Sequence, residues 1–424
     1  MSATKTVVSV IIPTHNRAKS LQRTLDALAQ QSYPATETET IVVADGCTDD
    51  TIKMLRAYSA PFCLQILEQD GKGAGAARNY GSAHANGKLL LFLDDDVVPE
   101  PGLIRAHVHA HQQQAGQIVM GPYPTALSGR TSLFNILMRL WWATKFDALQ
   151  SESHRNTYRD LLSGNLSLEK AIFQSLGGFD PAIRGAGGED YEFGVRVIKE
   201  NLPLCFAKDA LAYHYEHESM NVRRAMERSR QEGRASVQIG RRHSELRSSL
   251  LLDNSNSPAL FVVRLVRRLA LDLPDMGDFL VNFLAQFLRP LEMLHVRGSW
   301  FRLYGLIREY WYWRGVRDEL GGRVELENFV QAAPAKADNA DLDLDLDLKS
   351  GLAAAVQRVD EIRPLSICLR YGQYVIGRIP AIPGAESLRG RHLSFILATQ
   401  FAESLAKAIA LETALPGDNH PVTR

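Results

Sequence analysis

Apolar and polar positions fall into alternating blocks along the first part of the chain. VVSVIIP (7–13), TETIVVAD (38–45) and CLQILEQ (63–69) are short runs of strand character, and the first is almost continuously apolar. Between them, AKSLQRTLDALAQQ (18–31) and DDTIKMLRAYSA (49–60) repeat apolar residues at helical spacing. A Gly/Ala-rich helix start follows in GKGAGAARNYG (71–81). LLLFL (89–93) then runs straight into Asp94, Asp95 and Asp96. Strand–helix alternation with apolar strands predicts an α/β fold: a mostly parallel sheet with helices on both faces. Ligands of such sheets gather at the carboxyl ends of strands, and the three aspartates lie at such an end.

Downstream the pattern changes. Residues 133–146 form a Trp-rich amphipathic stretch, and 221–330 are rich in Arg, Leu and aromatics and read as helical. Residues 331–351 contain the acidic low-complexity run ADLDLDLDLKSG, which reads as a linker. Residues 352–424 read as a small α+β module of unknown function, with a hairpin-like pair in RPLSICLRYGQYVIGRIP and a helix after it. The expected organisation is therefore 1–220, 221–330, 331–351 and 352–424.

Bulk numbers add little except by exclusion. With 48 Lys+Arg against 48 Asp+Glu among 424 residues, net charge gives no case for nucleic acid as a partner. Four scattered cysteines without a C-x-x-C pair offer neither a zinc site nor a disulfide framework and suit a reducing compartment. The N-terminal run meets Pro13 after a few apolar residues, unlike a leader. No stretch reaches the roughly 18 uncharged apolar residues of a spanning helix. A cytoplasmic protein, soluble or at the inner face of the membrane, is the expectation.

Three like charges at the end of a buried strand repel one another and raise their pKa values. A divalent ion would remove that cost, and Mg²⁺ or Mn²⁺ suits one or two carboxylates plus substrate phosphates. Asp45 ends another strand before Gly46, although Asp-Gly is also a common turn pair. PTHNR (13–17) ends the first strand, with Asn16 a candidate helix cap. The 71–81 run, with Lys72 and Arg78, either presents N–H groups and charge to an anion or packs helix against strand through small residues. Glu189 and Asp190 open a helix behind Gly185, Gly187 and Gly188, as the macrodipole favours or as a general base on a loop requires. His214 and His217 lie three residues apart, and one of them would complete a metal shell.

Taken in order, VSVIIPTHNR (8–17), IVVADGCTDDT (41–51), GAARNYG (75–81), LLFLDDD (90–96), SGNLSLEKAIFQSLGGFD (163–180), GEDYEFGVRV (188–197) and YHYEH (213–217) resemble an inverting glycosyltransferase of family 2. The resemblance covers residues 7–220 and implies a GT-A fold, which is Rossmann-like. It also implies a nucleotide-diphospho-sugar donor, a glycan or lipid-linked acceptor and a Mn²⁺ or Mg²⁺ cofactor. By it, Pro13, Thr14, Arg17, Asp45, Arg78, Asp94 and Asp95 belong to the nucleotide-sugar site. Asp94, Asp96 and His214 belong to the metal, Asp190 with Glu189 to general-base catalysis, and Asn165 to the acceptor side. Ala44 stands where relatives carry a first acidic residue. NVRRAMERSRQEGRA (221–235) lacks the tryptophan of the Q-x-x-R-W motif of processive synthases, which favours transfer of single sugars. A sugar-phosphate nucleotidyltransferase would want a Gly-rich basic loop after the first strand, and PTHNR is not one. A degenerate scaffold would have lost the aspartates or the base.

Two basic regions carry open alternatives. Residues 221–243 are either a solvated arginine face or a gate over the diphosphate. Residues 258–315 either pack as amphipathic helices or meet a membrane surface, apolar side in and arginines towards headgroups.

Overall fold

The computed structural model describes residues 7–126, 132–151, 153–183, 187–215, 220–247, 250, 261–332 and 343–414. The chain divides into two compact units: residues 1–148 with 158–333, and residues 149–157 with 334–424.

In the first unit, β1 (Val8–Thr14), α1 (Ala18–Leu28), β2 (Thr38–Asp45), α2 (Thr51–Ala57), β3 (Cys63–Gln69), α3 (Ala74–His84) and β4 (Leu89–Leu93) follow the predicted alternation. They continue into β5 (Val97–Pro99), α4 (Leu103–Gln113), β6 (Ile118–Met120), α5 (Leu133–Gln150), β7 (Asn165–Glu169), α6 (Lys170–Ser175), α7 (Gly188–Lys199), β8 (Leu204–Phe206) and β9 (Ala212–His214). The main sheet has the order β3-β2-β1-β4-β7-β6-β8. β1 to β4 are mutually parallel, and β7 alone runs against its neighbours β4 and β6. The apolar strands β1, β2 and β4 are buried along their whole length, whereas β3 at the edge is half-exposed. That difference accounts for the weaker apolar run of CLQILEQ. Phe92 of β4 meets Phe173 and Phe179 at ring distances of 5.1 and 5.4 Å, tying the strand that ends in the aspartates to α6 and the loop after it.

Beyond the sheet lie α8 (Val222–Arg242), α9 (Phe261–Asp272), α10 (Pro274–Ala285), α11 (Leu288–Met293), α12 (Arg297–Leu320) and α13 (Arg323–Gln331). α8 and α12 cross in very close contact. A Cβ added at Gly233 would overlap the Tyr312 carbonyl oxygen, and one added at Gly315 would overlap that of Arg230. Across the same crossing, Asp318 accepts hydrogen bonds from Arg230 and Arg234, and along α12 from Arg314. Most of the arginine-rich 221–243 segment is thereby committed to internal pairing, with Arg241 on Glu319 and Arg242 on Asp180. The inner faces of α9 to α12 bury Trp300, Tyr304, Ile307, Tyr310 and Trp313. Among the described residues, no single helix is long and apolar enough to cross a membrane.

The second unit corrects the linker assignment. Asp343–Asp347 is a strand, β10, that pairs in parallel with β11 (Ser366–Tyr371), which in turn pairs antiparallel with β12 (Tyr374–Ile379). The Asp-Leu repeat has the period of a strand, with Leu346 buried and Asp343 and Asp345 outward on Arg378 and Arg370. Helices α14 (Leu352–Ile362), α15 (Gly390–Gln400) and α16 (Ala402–Ala414) complete the unit. Its core includes Val359, Ile367, Leu369 and Leu393. Residues 149–157 also belong here: Asn156 donates to the buried Glu386 carboxylate at 2.8 Å.

A side chain at the α8–α12 crossing must push the helices apart. Gly233→Val is expected to cost about 1–3 kcal/mol, read as a lower midpoint of urea unfolding. Gly305→Val on the same α12, where an added Cβ meets nothing within 4 Å, should cost far less.

Candidate active site

The carboxyl ends of β1, β2 and β4 open into a cleft of about 440 Å³. Pro13, Thr14 and Arg17 enter it from the end of β1 and the turn after it. Asp45 enters from β2 and Arg78 from α3, facing Asp94, Asp95 and Asp96 at the end of β4. Asn16, expected to cap α1, sits at φ 54° instead. Its Oδ1 accepts from the Thr48 and Asp49 amides, so it ties the first strand turn to the second. The Asp45 carboxylate accepts from Gln69 Nε2 and from the Lys72 and Gly73 amides at 2.7–2.8 Å. Those two amides of the Gly-rich run therefore hold a protein carboxylate.

Each aspartate of the β4 turn has its own partner. Arg78 donates to Asp94 at 2.6 Å. Thr14 Oγ1 donates to Asp95 at 2.7 Å, and one Arg17 nitrogen donates to both Asp95 and Asp96, at 2.9 and 2.7 Å. His214 Nε2 lies 3.2 Å from Asp96 Oδ1. The histidine arrives there because β9 pairs antiparallel with β5, placing His214 opposite Val97 in a two-stranded ribbon. The rings of Tyr123 and Trp142 meet it edge-on at 5.6 and 5.4 Å. Burial pushes the Asp95 carboxyl up to about 7, with Arg17 opposing. Burial works the same way on Asp96, but His214 and Arg17 outweigh it and hold that carboxyl well below the usual range. His217 and Gly185 lie outside the described residues.

Glu189 and Asp190 sit in the first turn of α7, behind Gly187 at φ +85°. Arg78 spans the site, donating also to Glu189 at 3.3 Å. Burial, then the neighbouring Asp190, pushes the Glu189 carboxyl up to about 7. Burial also raises Asp190, against the pull of Arg78. Asp190 Oδ2 accepts from the Ser163 amide at 3.2 Å, while its buried Oδ1 has no hydrogen-bond partner among the described residues. Gly164 is what lets the β4 turn approach, since a Cβ there would stand 2.9 Å from Asp94 Oδ2.

Asn165 does not belong to the cleft. It is fully buried in β7: Nδ2 donates to the Ala210 carbonyl at 2.8 Å, and Oδ1 lies 2.8 Å from His107 Nε2. It locks β7 to the chain beside it, and Gly164 lines the cleft in its place. Several lining residues carry no mark in the family-like motifs. Trp141 and Trp142 come from α5, and Arg224, Arg228 and Gln231 come from one face of α8. The spacing 224, 228, 231 was the available signal for that face.

The donor set fits a divalent cation only in part. Asp96 and His214 form a carboxylate–imidazole pair, but among the described residues no three His, Cys, Asp or Glu side chains close into a metal cluster. Asp94 is turned to Arg78 instead. Two protein ligands with the rest supplied by diphosphate and water is the arrangement Mg²⁺ and Mn²⁺ accept, so the pair fits such an ion once substrate is present.

The sequence of residues 9–177 matches the family described as glycosyl transferase family 2, and 146–218 match the N-terminal domain of galactosyltransferase. Validoxylamine A glucosyltransferase of Streptomyces hygroscopicus subsp. jinggangensis is 32% identical over 50% of this chain and 56% of its own length. Glycosyltransferase AglE of Haloferax volcanii is 30% identical over 50% of this chain and 68% of its own. Among solved structures, a Pyrobaculum calidifontis mannosyltransferase in complex with GDP-Man and Mn²⁺ aligns at TM-score 0.44 and 18% identity, covering 77% of this chain and 88% of that one. The chain belongs to glycosyl transferase family 2, and its seven-stranded sheet is the GT-A fold. It spans little more than half the length of the validoxylamine A relatives, 56% and 52%.

Arg78 is the counterion of both carboxylate groups. Arg78→Ala is expected to cost about 3–5 kcal/mol, because buried carboxylates lose their cation. In an Asp94→Asn/Glu189→Gln background the same change should cost markedly less. Chemical denaturation of the four proteins checks the coupling.

Proposed function

We propose that this protein is an inverting glycosyltransferase that moves one sugar from a nucleotide-diphospho-sugar to an acceptor hydroxyl, in cell-surface glycan or polysaccharide biosynthesis. One observation carries the reading. A single guanidinium, Arg78, joins the aspartate turn at 2.6 Å to the Glu189–Asp190 pair at 3.3 Å. The donor end and the base end therefore share one cleft, which Asp190 lines, and the buried Asp190 Oδ1 has no hydrogen-bond partner among the described residues.

In this reading the nucleotide lies along Pro13, Thr14 and Asp45, and its diphosphate reaches the aspartate turn. A Mn²⁺ or Mg²⁺ ion held by Asp96 and His214 would supply the positive charge that offsets the leaving diphosphate. The proton of the acceptor hydroxyl passes to Asp190. The freed oxygen pair forms the bond to the anomeric carbon on the face opposite the phosphate. The carbon–phosphate-oxygen bond breaks, and its electrons leave on the nucleoside diphosphate. Burial suits Asp190 to this step by raising its proton affinity.

The outer surface of α9 to α11 favours a second element of the reading, attachment to the inner face of a membrane by a cytoplasmic enzyme. Phe261, Phe279, Met293 and Leu294 are each 69–77% exposed. The exposed Arg264, Arg268, Arg289 and Arg297 lie among them. Apolar side chains that insert and arginines that meet anionic headgroups are the chemistry of an interfacial helix.

A panel of UDP-, GDP- and dTDP-sugars tests the transferase reading. Slow donor hydrolysis that requires Mn²⁺ or Mg²⁺ and is lost in Asp96→Ala supports it; no cleavage and no metal-linked nucleotide binding would overturn it. Asp190→Asn should retain donor affinity while losing acceptor transfer by about 10²–10⁴-fold. A base must be unprotonated and Asp190 is shifted upward, so the acceptor-dependent rate should rise with pH through an inflection above the ordinary aspartate range. For the membrane, wild type should sediment with vesicles containing phosphatidylglycerol, and Phe279→Asp/Phe283→Asp should stay in the supernatant. Equal sedimentation of the two proteins would remove the membrane reading.

A further inference from the structure

A second cavity, of about 280 Å³, adjoins the cleft on its Asp190 side. Its walls come from α5, the start of α7, α8 and α12. They are strongly aromatic, with Tyr158, Tyr304 and Tyr312 joining Trp141, Trp142 and Tyr191. Trp141, Trp142, Gly187, Tyr191 and Arg228 line both spaces, so the cavity and the cleft share a wall. Its charged side chains are the guanidiniums of Arg159, Arg228 and Arg308 and the one carboxylate of Glu232. Arg308 lies 3.4 Å from Glu232, Arg228 lies 3.7 Å from the same carboxylate, and Arg159 donates to the Tyr158 hydroxyl at 2.9 Å.

We infer that this cavity takes an apolar group joined to the acceptor sugar, so that the acceptor is an amphipathic glycoside rather than a free sugar; the assignment rests on the transferase reading above. Three features carry it. The cavity lies beside the base, because Gly187, Gly188 and Tyr191 around Asp190 line it and Tyr191 lines the cleft as well. Its volume approaches the roughly 300 Å³ at which small-molecule pockets begin. Aromatic and aliphatic walls reward removal of hydrocarbon from water. An alkyl chain and an aryl aglycone share this chemistry, and the experiment separates them.

Octyl, phenyl and methyl β-D-glucopyranosides serve as probes below their micellar concentrations, titrated calorimetrically into wild type and Ala225→Phe. Ala225 lines the cavity and is partly exposed, so the larger ring can fill the space without entering a closed core. Octyl or phenyl glucoside should bind at least about tenfold more tightly than methyl glucoside, and Ala225→Phe should bring that ratio close to one. An octyl preference points to a lipid-like acceptor and a phenyl preference to an aromatic one. Equal binding of all three glycosides by wild type, or a preference unchanged in Ala225→Phe, would overturn the inference. If Ala225→Phe does not fold, the wild-type ratio alone decides. Donor hydrolysis, measured in parallel without acceptor, reports on the transferase reading: its loss with the octyl or phenyl preference intact would sink that reading and leave the apolar site standing.

Discussion

The structure depends on giving partners to the carboxylates that gather where a buried strand ends. β4 is wholly buried, so its last residues cannot swing into solvent to escape one another. Three aspartates there, with Glu189 and Asp190 across the cleft, would be prohibitive without cations, because charge interactions strengthen as water is excluded. Two guanidiniums and an imidazole answer them. Arg78, itself only 4% exposed, lies between Asp94 and Glu189; Arg17 takes Asp95 and Asp96; His214 reaches Asp96 from the β5–β9 ribbon. The sequence motifs that carry these residues are separated by tens of positions, and one charge network requires them to converge.

This network bears on the metal. A cation is not needed to hold the aspartate turn together, since protein groups already do so. On the proposed reading, an incoming diphosphate would meet carboxylates first, and an ion held by Asp96 and His214 would act as a partner of the substrate rather than as a structural member of the apoprotein.

How much of this the sequence disclosed follows from distance along the chain. The strands and helices of the first hundred residues were legible because apolar runs and helical spacing are local signals: β2 and β3 coincide with the expected ranges, and α1 begins where expected. The aspartate turn, Arg78 and the Glu189–Asp190 pair were legible as motifs in order. Asn165 misled because a polar residue in a small-residue turn looks available, whereas β7 buries it and spends its amide on Ala210. The Asp-Leu repeat misled for a different reason: composition suggested a linker, while its period of two was already that of a strand with Arg370 and Arg378 waiting on its outer face. Trp141 and Trp142 carried no address, because nothing local says which turn of a long helix will meet a cleft.

The two sides of the cleft are consequently built by different means. The side that the proposal gives to the donor is made by strand ends and the turns after them, whose positions follow the sheet register. The wall beyond Asp190 is made by helices α5, α8 and α12, packed on one another and brought close by Gly233 and Gly315. The two sides touch where Trp142 of α5 meets the His214 ring that reaches Asp96. On the proposed reading, the sheet would carry the transfer chemistry and the helices would set the choice of acceptor.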